Sequence, residues 1–189
     1  AQGLDLYVDA MRALIDKGTT GLTKVGTSEE DDKQLDSYNA MSFNFAADLA
    51  DCWPDDDLPR ETRHFEAGLK AAEDCVRWRN ELNKPPRPFS IAYWAKGMHL
   101  LSLGHYSGAV KSFNLGLTFA ERAAKDAGMS TEIDVDSSFD LLLNHGYLGI
   151  GEQMDGDAEG MQRYNRAISL FKQQIVNAQA TGDSEAKED

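Results

Sequence analysis

Apolar residues recur along almost the whole chain at spacings of three and four, and no stretch alternates with period two for long enough to make a strand. The pattern predicts an all-α protein. Leu4, Tyr7, Val8, Met11, Leu14 and Ile15 form one stripe, which predicts a first helix over 4–16 that stops at Gly18. A Gly/Thr-rich connector, 18–26, follows. Thr27 and Glu30 have capping-box spacing, in which each side chain satisfies an orphan backbone N–H, so a second helix is expected from there to about Cys52. Pro54 and Asp55 to Asp57 break it, and Pro59 suits the first turn of the next helix, where a missing N–H costs nothing.

Phe65, Leu69, Ala72, Val76 and Leu82 keep to one helical side until the proline-rich run 83–88, which is read as extended. Ser90 is expected to cap a fourth helix ending at Gly104, and Tyr106 to begin a fifth that reaches Ala127, before Gly128. The last pair is expected over Ser137–Gln153 and Asp157–Ala180. The predicted architecture is therefore three antiparallel hairpins, 28–83, 88–128 and 134–180, stacked side by side with helix 4–16 covering the open end of the first. Residues 1–180 make one domain, and 181–189 read as a disordered acidic tail.

The second helix of each hairpin repeats a pattern of an aromatic residue, two others, a small residue and an aliphatic one. It appears as Phe65 to Leu69, Phe113 to Leu117 and Tyr164 to Ile168, 48 and then 51 residues apart. Self-similarity of this kind marks one helical unit stacked on copies of itself, with the small residue letting a neighbouring helix come close. Tyr93, Gly97, Leu100, Gly104-His105-Tyr106, Ala109, Phe113, Gly116 and Leu117 carry a further likeness: Ser90 to Ala123 resembles a tetratricopeptide (TPR) unit. The flanking pairs carry two to three extra residues at the turn and lack its glycine and tyrosine.

That resemblance implies a protein- or peptide-binding module whose first helices line a concave face. The register of Gly97 puts Trp94, Met98 and Leu101 toward it, joined by Phe43 from the first pair and by Leu143 and Tyr147 from the third. Such a groove would be apolar with an acidic rim, suited to a segment with aliphatic anchors and basic flanks. A self-associating subunit using the same surface in a homodimer is the alternative. Of the family's carboxylate-clamp pattern only Asn144 is present, so a C-terminal carboxylate is not the expected ligand.

A net charge of −13 puts a negative field over the surface, which disfavours nucleic acid and anionic membranes as partners. No window reaches the roughly 18 apolar residues a spanning helix needs. If the second and third helices pair about residue 56, Cys75 lies opposite residue 37. That is on the order of 20 Å along the helix from Cys52, too far for a disulfide. Two free thiols lean toward a reducing compartment.

Glu61 and His64 have the Glu-x-x-His spacing of carboxylate-bridged metal sites, yet no second copy exists, so a locally bonded histidine is expected. The run Asp155 to Gly160 imitates the start of a calcium loop, but its twelfth position is Arg166, and it reads as an acidic helix-capping turn. Phosphate loops, nucleophile elbows and Cys-x-x-Cys pairs are absent from the sequence, so neither enzyme activity nor a metal or other cofactor is expected.

Overall fold

The computed structural model describes residues 2–20, 22, 28–53 and 58–181. Among them are seven helices and no strand: α1 Gln2–Thr19, α2 Glu29–Leu49, α3 Thr62–Glu81, α4 Pro86–Ser102, α5 Tyr106–Asp126, α6 Phe139–Asp155 and α7 Gly160–Thr181. None is long and apolar enough to cross a membrane. Thr27, the aspartate turn at 55–57, most of the 18–26 connector and residues 182–189 lie outside the described part of the chain.

Helix ends differ from expectation where local chemistry competes. Ser28 caps α2, its hydroxyl accepting the Asp31 N–H at 3.0 Å, and Glu29 to Asp32 fill the first turn, at the positive end of the helix dipole. Pro59 stands ahead of α3 rather than in its first turn, because Glu61 is the N-cap and its N–H donates to His64 Nδ1 at 2.8 Å. Helix α4 starts at Pro86, not after Ser90. Pro86 and Pro88 both fit the first turn, where backbone N–H groups have no helical partner, so the proline run opens the helix instead of preceding it. Ser90 is then one turn inside, buried, its hydroxyl donating to the Arg87 carbonyl at 2.8 Å. Gly104 and Gly156 hold φ of 75° and 100°, which is why the chain can leave α4 and α6 in tight turns.

Consecutive helices run antiparallel, each against the next. On α4 and α5, Phe89 stacks on Phe119 at 4.7 Å, Tyr93 O accepts from Ser112 at 2.8 Å, and Gly97 lies against the Phe113 ring. On α2 and α3, Cys75 Sγ donates to Asn39 Oδ1 at 3.0 Å, close to the pairing with residue 37 that argues against a disulfide, and both cysteines are free thiols. Helix α1 buries Leu4, Val8 and Ile15 and rests on α2 and α3, with Tyr7 edge-on to Phe45 and Asp5 beside His64. Besides these neighbours in sequence, α2 touches α4 and α4 touches α6, so α4 is covered by four other helices.

Candidate functional site

The six residues expected on a concave face divide according to that covering. Trp94 and Met98, on α4, are only 6% and 4% exposed, because helices surround α4 on most sides. Trp94 meets the edge of Tyr147 at 5.8 Å, and its indole Nε1 has no hydrogen-bond partner among the described residues. Phe43, Leu101, Leu143 and Tyr147 are half-buried. Phe43 lies under the guanidinium of the buried Arg79 at 5.1 Å. Trp94 and Met98 are therefore core residues rather than the lining of an open groove, and Leu143 and Tyr147 share a cleft.

That cleft runs between α6 and α7 and encloses about 250 Å³. Helix α6 contributes Phe139, Leu143, Tyr147 and Ile150 at helical spacing. Helix α7 contributes Tyr164, Ile168 and Phe171, with Gly146 and Ala167 between the two rows. No lining residue is charged. Phe139 is 41% exposed, and its ring meets Phe171 at 5.6 Å. Sequence reasoning missed the α7 half of this surface, although one signal for it was present: Tyr164, Ala167 and Ile168 are the third copy of the repeated pattern.

The first two copies show what the small residue is for. A Cβ on Gly68 would lie 2.1 Å from the His99 ring, so α4 seats that ring directly on α3. A Cβ on Gly116 would lie 2.1 Å from Asn144 Oδ1, so α6 seats its amide on α5 in the same way. His99 Nε2 donates to the Ala46 carbonyl at 2.8 Å, and Asn144 Nδ2 to the Asp140 carbonyl at 2.8 Å. Ala167, at the third equivalent position, is 2% exposed at the floor of the cleft beside Gly146, and among the described residues α6 is the one helix packed on α7.

Burial governs the titratable groups inside the fold. His64 Nδ1 accepts from Glu61, so Nε2 carries the proton and donates to Asp5 Oδ1 at 2.7 Å. Both ring nitrogens are thereby engaged, and burial holds its pKa below the ordinary value. Burial likewise takes His99 and His145 down to about 4, in the second case with help from Arg163 and Arg166. Burial pushes the Cys75 thiol up to about 11 and raises Cys52, so neither is a thiolate at neutral pH. Tyr147 is raised as well, by burial and by the neighbouring Cys52. No group of three or more candidate metal ligands occurs among the described residues.

Comparison with known proteins adds no relative: no family model, no curated protein and no solved structure matches this chain.

Proposed function

We propose that the chain is a TPR-like helical-repeat scaffold that binds a protein or peptide through the cleft between α6 and α7. The observation that carries this reading is the uncharged cleft itself, about 250 Å³ of apolar, half-open space on a chain of net charge −13. A concave surface lined by aliphatic and aromatic side chains is what a polypeptide with apolar anchors requires. Leu143 and Tyr147, expected on the inner face of the first helices, here line the cleft of the last hairpin, and Trp94 meets Tyr147 from within the core.

The test is selection of displayed peptides on the wild type, counter-selected on Phe139→Asp. Phe139 is well exposed in the first turn of α6, where a carboxylate is tolerated, so the variant should melt like the wild type. Peptides enriched on the wild type and lost on the variant support the reading. A selection that enriches nothing overturns it.

Self-association through the same cleft has one observation in its favour: Met154, Met161 and Val176, on the same two helices, are 49%, 45% and 61% exposed. Sedimentation at micromolar concentration separates the two readings. A dimer abolished by Phe139→Asp favours the second.

A further inference from the structure

The chain fills its own interhelical grooves twice, and the third copy differs in charge as well as in being open. The groove of α2 and α3 receives α4, which seats His99 on Gly68 and pairs Lys96 Nζ with Glu73 Oε1 at 3.0 Å. The groove of α4 and α5 receives α6, which seats Asn144 on Gly116 and pairs Asp140 with Arg87 at 2.7 Å. Each occupant is thus a helix, held by one side chain on a small residue and by one ion pair to the helices that receive it. Continued one step, the same geometry makes the α6–α7 cleft a seat for a helix.

Two features of α7 specify that helix. Counting eight residues on from the repeated aromatic gives Glu73, Glu121 and Lys172; Glu73 pairs with Lys96 of its occupant, the second groove instead pairs the occupant's Asp140 with Arg87 of α4, and α7 offers a cation, Lys172. Lys172 follows Phe171 and stands one turn beyond Ile168, both of which line the cleft. Helix α7 carries no carboxylate over residues 160–181 in a chain with 32 of them, and its charged residues are Arg163, Arg166 and Lys172. The seat residue is Ala167 where the filled grooves have glycine, so its Cβ occupies the space that a seated side chain of His99 size would need.

We propose, building on the polypeptide-binding reading above, that this cleft receives an amphipathic helix of a partner protein. That helix presents a small residue to Ala167 and a carboxylate to Lys172. The inferred sign is opposite to the basic flanks expected from net charge, because the charge of α7 departs from that of the chain as a whole.

The chain's own α4 supplies a probe. A fluorescein-labelled peptide of residues 86–102 is made with His99→Ala in three versions: Lys96→Glu, Lys96→Gln and Lys96 retained. Anisotropy titrations use the full chain, as wild type and as Lys172→Glu. An exposed ion pair and its like-charge counterpart together predict that the Lys96→Glu version binds wild type about two- to tenfold more tightly than the Lys96 version, and that salt narrows the gap. Lys172→Glu should reverse the order. Equal affinities, or an order that Lys172→Glu leaves unchanged, overturn the carboxylate assignment, and the polypeptide-binding reading stands if Phe139→Asp still weakens all three. If none of the three binds while displayed peptides are enriched, the helix assignment fails alone. If neither experiment yields a ligand, the reading beneath it fails too. A wild-type dimer that Phe139→Asp dissolves identifies a second copy as the occupant and overturns the partner helix.

Discussion

The junction between α5 and α6 and the cleft between α6 and α7 are built from the same repeated pattern, yet one is closed and the other open. At the junction Gly116 leaves no room beneath Asn144 Oδ1, the Phe113 ring is fully buried between Gly97, Tyr147 and Gly151, and α6 covers what α5 presents. At the cleft Ala167 and Gly146 lie at ordinary van der Waals distance, 3.8 Å for an added Cβ, and the aromatic rings beside them meet open space. A filled groove is recognisable by a glycine under a larger polar side chain. An unfilled one keeps the apolar walls, carries alanine at the seat and has a cation, Lys172, where α3 and α5 have Glu73 and Glu121.

The contrast predicts a graded response to substitution. The largest effect belongs at the closed junction, where Phe113→Ala should cost about 3–5 kcal/mol by lost transfer and cavity terms, read from chemical denaturation. Loss of less than 1 kcal/mol would mean that the ring is not the keystone of the α4, α5 and α6 packing.

Acid comes next. His99 is buried with its pKa down at about 4, against an ordinary value of 6.5, so the unfolded chain takes up this proton first as pH falls. Its contribution is therefore complete above about pH 6.5 and lost progressively down to pH 4, amounting to about 3 kcal/mol at roughly 1.4 kcal/mol per pH unit. His99→Gln should flatten that acid limb in pH-dependent unfolding, leaving only the slope due to His145 and His64. An unchanged limb would remove His99 from the account.

Gly116→Leu should destabilise by about 1–3 kcal/mol, since both Asn144 and the Ser90 carbonyl must move, which thermal melting would register. Gly146→Ala probes the open side and should do the reverse. With no clash and an unstrained helical backbone, it should add about 0.4–1 kcal/mol in the same assay. If both glycine variants were equally harmful, the distinction between closed junction and open cleft would collapse.

Much of the fold is legible in the sequence because it rests on local signals. Helical spacing of Leu4 to Ile15, the glycines at 104 and 128, and the pattern around Phe65, Phe113 and Tyr164 each identify an element or a contact without tertiary information. The helix starts were less legible, since serines compete at neighbouring positions and Pro86 and Pro88 suit a first turn as well as an extended segment. The candidate site was legible only in part. Register singles out Leu143 and Tyr147 but assigns them to the face of the first helices rather than to the α6–α7 cleft, and whether Trp94 faces a groove or a core depends on how many helices surround α4, which one helix's spacing does not reveal. Arg79 was invisible for the same reason: its guanidinium is buried because it donates to both Asn39 Oδ1 and the Pro88 carbonyl, joining three helices.

The central claim is that a polypeptide binds between α6 and α7 rather than on the inner face around α2 and α4. Hydrogen–deuterium exchange of the full chain, with and without a peptide selected on it, measures this directly. Slowed exchange along 139–155 and 160–181, with residues around Phe43 and Leu101 unchanged, is the predicted result. Protection confined to the neighbourhood of Phe43 and Leu101, with α6 and α7 unaltered, would contradict it.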